Sequence, residues 1–126
     1  MYKEKKLVEE LILKYKTSSP FELCELEGVK LSFKPLGTLN GIYRYSKRNK
    51  FITVNIDREI GHQRFICGHE LGHSILHPNE NRIFLNTTLF VPNKREIEAS
   101  RFAVYLLVEY YGAYENIPWE YLKLIV

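Results

Sequence analysis

Two imidazoles four residues apart with a carboxylate between them, His69-Glu70-Leu71-Gly72-His73, are the side chains of this sequence best suited to chemistry. On an α-helix, residues at that spacing lie one above the other on the same face. His69 and His73 can therefore reach one metal ion, and Glu70 leans toward the same side. This is the H-E-x-x-H arrangement of a metal-dependent hydrolase: two neutral nitrogen ligands and a carboxylate beside an activated water. The bland reading makes both histidines ordinary core residues, and it fails if purified protein carries stoichiometric metal.

Two ligands do not complete a site. A structural zinc centre wants four protein ligands, usually rich in cysteine. Cys24 and Cys67 are the only thiols, and Cys67 lies two residues before His69, so its side chain points away from the histidines and reads as a small core residue. A catalytic centre wants a third protein ligand and an open water position. His77 shares the helix face but lies about 12 Å of helix rise beyond His69, too far for one ion, and His62 fails likewise on the other side. The third ligand is then expected to be a carboxylate from a later helix, with Glu96 and Glu98 as candidates. Helix geometry alone does not separate them, since each lies beside an apolar stripe and either would also suit a helix N-terminus.

The elements that must hold these groups follow from periodicity. Leu7, Val8, Leu11, Ile12 and Tyr15 recur at helical spacing over about residues 3–16. Ser19-Pro20-Phe21-Glu22 has the form of a capping box with proline at the first helical position, opening a short helix that ends at Gly28. Val29, Leu31 and Phe33 alternate as a strand does. Gly41 to Tyr45 and Phe51 to Ile56 flank a polar turn at residues 46–50, which predicts a hairpin. Ile60 to His77 reads as the central helix, stopped by Pro78. Its Gly68 and Gly72 each cost about 1 kcal/mol against alanine, so their use points to close approach of another backbone. Ala99 and Ala103, on a helix expected from about Lys94 to Tyr111, form the matching small pair. Residues 117–126 suggest a last short helix. Strands and helices segregated in this way predict a small antiparallel sheet packed on helices.

The chain has 126 residues, 45% of them hydrophobic and 26% charged, which fits one globular domain over residues 1–126. Two cysteines without a framework pattern favour a reducing cytoplasm. The lysine-rich N-terminus lacks the continuous apolar stretch of a signal peptide, and nothing approaches a membrane span. Eighteen basic and fifteen acidic residues, net +3, are too balanced to argue for direct nucleic-acid binding, and the basic clusters Lys3–Lys6, Lys47–Lys50 and Lys94-Arg95 read as solvated turns and helix faces.

The stretch from Phe65 to Pro78, with Glu98-Ala99-Ser100-Arg101-Phe102-Ala103 and Leu106-Leu107, resembles the ImmA/IrrE metallopeptidases, and most nearly the ImmA-type proteins of prophages and integrative conjugative elements. Pro20-Phe21, the Leu36-Gly37 to Gly41-Ile42-Tyr43 region and Asn55 extend the likeness over most of the chain. It departs at Ser100, where the family usually has asparagine, and at Val108-Glu109, where many members have Met-Pro. These departures bear on substrate selection more than on metal binding. The resemblance implies an α+β, zincin-like domain, a zinc ion held by His69, His73 and Glu98, and Glu70 as catalytic base. It also implies a substrate: the helix-turn-helix repressor of the same mobile element, cleaved to derepress its genes.

An edge strand commonly aligns the extended substrate in zincin folds, and Phe51 to Ile56 is the strand expected to do so by strand addition. Tyr43, Tyr45, Tyr105 and Tyr110 are candidate oxyanion donors. The rival class is a non-proteolytic module that keeps the zinc fold and binds the repressor or serves a toxin–antitoxin pair. An intact Glu70 argues against it, because a pure binder has no use for that carboxylate.

Overall fold

A computed structural model of the chain describes residues 2–85 and 93–126. Helix α1 spans Lys3–Tyr15, and α2 spans Pro20–Leu26. The Ser19 hydroxyl accepts from the Glu22 backbone N–H, as the capping pattern requires. Three strands follow, β1 (Lys30–Lys34), β2 (Leu39–Ser46) and β3 (Asn49–Asn55), then the long helix α3 (Ile60–Leu76). A short strand β4 (Arg82–Leu85), the helix α4 (Lys94–Tyr111) and a single turn α5 (Trp119–Leu122) complete the order. No helix among the described residues is long and apolar enough to cross a membrane.

The architecture is α+β, with sheet order β1-β3-β2-β4. The expected hairpin is present as the antiparallel β2–β3 pair, closed by only Lys47 and Arg48, both with positive φ (51° and 66°). That left-handed pair is the backbone of a tight two-residue hairpin turn. The sheet is mixed: β2–β3 and β2–β4 are antiparallel, whereas β1 and β3 run parallel. The reason is topological. After β2, the chain turns back through the hairpin and inserts β3 between β1 and β2, so β3 runs the same way as β1. This also removes β3 as a substrate strand, because both of its edges are already paired.

One face of the sheet packs on the helices. Tyr43, Ile52 and Val54 are fully buried there, with Phe65, Ile66 and Leu71 of α3 and Phe102, Val104 and Leu106 of α4. Residues Phe65 to Ser74 of α3 are all buried, as expected of a helix enclosed on all sides. α3 and α4 meet through small residues. A Cβ on Gly68 would lie 3.2 Å from Ala103 Cβ, and one on Gly72 would lie 3.1 Å from the Ala99 carbonyl oxygen and 3.2 Å from its Cα. The glycine–alanine packing inferred from sequence is therefore the contact that sets the helix separation. A Gly72→Leu variant should lose about 3 kcal/mol of stability through overpacking at this contact. Chemical denaturation measures that loss, and a change of a few tenths would contradict the packing.

Candidate metal centre

Along α3, His69, Glu70 and His73 are fully buried and cluster with their ligand atoms mutually within 4.8 Å. The two imidazoles point the same nitrogen inward: His69 Nε2 and His73 Nε2 are 3.2 Å apart. Glu96, from the first turn of α4, sets Oε1 at 3.2 Å from each of them. Its Oε2 lies 2.9 Å from His73 Nε2. Three donor atoms thus form a nearly equilateral triangle. Tetrahedral ligation at about 2.1 Å places donors about 3.4 Å apart, so these side chains fit a divalent cation with little movement.

Glu98, the residue the resemblance implies as third ligand, is placed elsewhere. Its Oε1 lies 3.0 Å from His77 Nε2 and its Oε2 2.6 Å from Lys3 Nζ. Positions 96 and 98 differ by about 200° around a helix, so only one of them can face α3's histidines. A signal for which of them faces the histidines was available. The small pair Ala99 and Ala103 marks the α4 face turned to α3, and Glu96 lies three and seven residues before them on that same stripe.

The outer nitrogens of both imidazoles are also engaged. His69 Nδ1 is 3.0 Å from Ser100 Oγ, and His73 Nδ1 is 3.1 Å from His77 Nδ1. A chain His73–His77–Glu98–Lys3 therefore runs outward from the site, reaching α1. Such outer partners fix ring orientation and tautomer. Ser100, which departs from the family's usual asparagine, keeps a hydrogen-bonding group on His69. His77 stands behind His73 instead of beside the cluster, a place that sequence reasoning did not foresee.

Burial drives the electrostatics. It lowers His69 to about 4, with the Glu96 hydrogen bond opposing, so the imidazole is neutral near pH 7 and its lone pair is available. Burial, then the charge of Glu96, raises Glu70 well above the ordinary carboxyl range. For Glu96 burial acts upward, but hydrogen bonds from His69 and His73 override it and hold the carboxyl below its usual range. Both Glu70 oxygens are buried without a hydrogen-bond partner among the described residues. Their burial is the same cause that raises the proton affinity of this carboxyl group.

Room for Glu70 comes from β2. A Cβ on Gly41 would sit 2.9 Å from Glu70 Oε2 and 2.7 Å from Ile66 Cγ2. Two of the tyrosines proposed as oxyanion donors are engaged elsewhere. The Tyr43 hydroxyl donates to the Pro78 carbonyl at 2.7 Å, with burial raising it to about 12, and Tyr110 packs against Tyr111 and Arg64. Cys67 lies against Cys24, with Sγ atoms 3.4 Å apart, and both remain free thiols in the core.

A buried H-E-x-x-H helix on a small mixed sheet, with a carboxylate from a following helix on both imidazoles, is a metallopeptidase arrangement. The sequence agrees: residues 24–116 match the IrrE N-terminal-like domain of the M78 peptidases, and the chain belongs to that family. It is 42% identical over 106 residues to the uncharacterized immunity region protein 2 of Bacillus phage phi105, an alignment covering 82% of this chain and 67% of that protein. It is also similar to the metallopeptidase ImmA of Bacillus subtilis (strain 168), at 28% identity over 113 residues, covering 89% of this chain and 67% of the relative.

Gly41→Ala is expected to push the Glu70 carboxyl from its place and to cost about 1–3 kcal/mol. Urea denaturation reports the cost, and a shifted Glu70 carboxyl resonance reports the displacement. Wild-type values for both would contradict the steric role given to Gly41.

Proposed function

We propose that this chain is a zinc-dependent endopeptidase in which His69, His73 and Glu96 hold the metal and Glu70 is the general base. The observation that carries the reading is the triangle of two Nε2 atoms and one carboxylate oxygen beside the unpartnered carboxylate of Glu70. Two nitrogens and one oxygen are the donor set of catalytic zinc sites such as His₂Glu. Zinc bound there would supply a Lewis acid that activates water and polarises the scissile carbonyl.

The protein's own groups do the rest. Glu70 accepts the proton of the attacking water on a carboxylate oxygen and returns it to the leaving amine nitrogen. Its environment suits this double role, because burial, then the charge of Glu96, raises its proton affinity well above that of an ordinary carboxylate. Ser100 and His77 hold the two imidazoles in their ligating orientation, and Glu98 acts through His77 rather than on the metal. Strand β4 ends the sheet next to β2, and its outer edge is the one suited to pair an extended substrate backbone by strand addition.

The substrate proposed is the helix-turn-helix repressor of the same mobile element, cut to derepress its genes in the cytoplasm. The immunity-region relative from phage phi105 and the likeness to ImmA support this reading.

Two experiments test it. Glu96→Ala should abolish stoichiometric zinc, whereas Glu98→Ala should keep it and weaken affinity by about 10–100-fold; zinc lost only in the Glu98 variant would overturn the ligand assignment. Incubation with the repressor encoded beside this gene should give discrete fragments, and a chelator or Glu70→Gln should stop cleavage. A Glu70→Gln protein that still derepresses would point to the binding module instead.

A further inference from the structure

The charge of this protein is segregated along the chain. Between Val29 and Ile56 there are six basic residues and no aspartate or glutamate, which leaves the remainder net negative although the whole chain nets only +3. This segment is the β1–β2–β3 part of the sheet. Strand alternation divides it into two faces. Tyr43, Ile52 and Val54 turn to the helices, and Lys50 follows them, donating to the Ser74 carbonyl at the end of α3. The opposite face carries Lys30, Lys34 and Arg44, with Lys47 and Arg48 in the adjoining hairpin turn. All five are exposed, and none has a carboxylate partner among the described residues.

The floor between these cations is not polar. Leu36, Ile42 and Phe51 line a shallow concavity of about 580 Å³ on this face, with the hydroxyls of Ser32 and Thr53. Lys30 Nζ and Arg44 Cζ lie 5.5 and 4.8 Å from the Phe51 ring centre, so the aromatic ring holds two of the cations over the floor. The face thus combines cations of one sign with a half-buried apolar floor, a surface complementary to an acidic segment with apolar side chains.

We propose that this outer sheet face is a docking surface for an acidic protein segment that also carries apolar side chains. Charge complementarity names the acidic part of the partner, because no residue of the face itself offers a counter-charge. A nucleic acid would have its backbone met by cations and its bases by free aromatic planes; here Leu36 and Ile42 are aliphatic and the Phe51 ring is already stacked by Lys30 and Arg44, which favours a protein. The face lies on the side of the sheet away from α3, so a partner held there does not cover the cluster of His69, His73 and Glu96. The proposal goes beyond the peptidase reading and does not rest on it.

The test uses the full chain and a fluorescein-labelled peptide of alternating glutamate and leucine, followed by anisotropy, beside a labelled oligothymidylate. The peptide should bind more tightly than the oligonucleotide, and binding should weaken as salt rises. Lys30→Glu and Arg44→Glu should each weaken it by about tenfold, while Lys123→Glu, an exposed charge reversal elsewhere, should leave it unchanged. Far-ultraviolet circular dichroism and urea denaturation of the variants check that the fold is kept. Tighter binding of the oligonucleotide would make the face a nucleic-acid surface and overturn the proposal. Absence of peptide binding, or equal weakening by Lys123→Glu, would overturn it as well.

Discussion

The close crossing of α3 and α4 is the constraint on which the rest of this structure depends. Helices with ordinary side chains at their contact stay 8–10 Å apart. Here Gly68 and Gly72 leave no side chain between the axes, and Ala99 and Ala103 fill the space with single methyl groups. The first turn of α4 is thereby brought against the inward nitrogens of α3. Only at that separation does a glutamate, with its short reach, touch both imidazoles at 3.2 Å. The glycines cost helix propensity, and that cost is offset by a contact no larger residue permits.

The second requirement is a place for an unpaired carboxylate. Glu70 points to the sheet side of α3, where a side chain on β2 would ordinarily stand. Gly41 removes it. The sheet thus contributes to the site by what it omits, and the helix pair contributes by what it brings together. This division lets so small a chain bury the cluster: His69, His73 and Glu96 hydrogen-bond to one another and to Ser100 and His77, and Glu70 takes the space that Gly41 leaves.

Much of this was legible in the sequence because periodicity and capping are local. The bounds of α1, α3 and α4, the Ser19 cap and the β2–β3 hairpin all follow from neighbouring residues. The glycine–alanine contact was legible too, since mid-helix glycines have few other uses. What failed to show was relative placement. The parallel run of β1 beside β3 depends on where a hairpin inserts, which no local pattern records. Strand β4 has too few residues to declare itself by alternation. The choice between Glu96 and Glu98 depends on the rotation of α4 about its own axis. The Ala99–Ala103 stripe holds that information, but reading it requires treating packing and ligation as one problem.

The salt bridge between Lys3 and Glu98 ties the first helix to the hydrogen-bonded scaffold behind His73. Residues 3–15 precede the segment shared with the peptidase family, which begins at residue 24. Yet the outermost link of the scaffold behind His73 is a lysine from that helix. The start of the matched domain and the extent of the hydrogen-bonded scaffold behind the candidate metal centre are therefore different, and a fragment cut at residue 24 would remove that scaffold's outermost link.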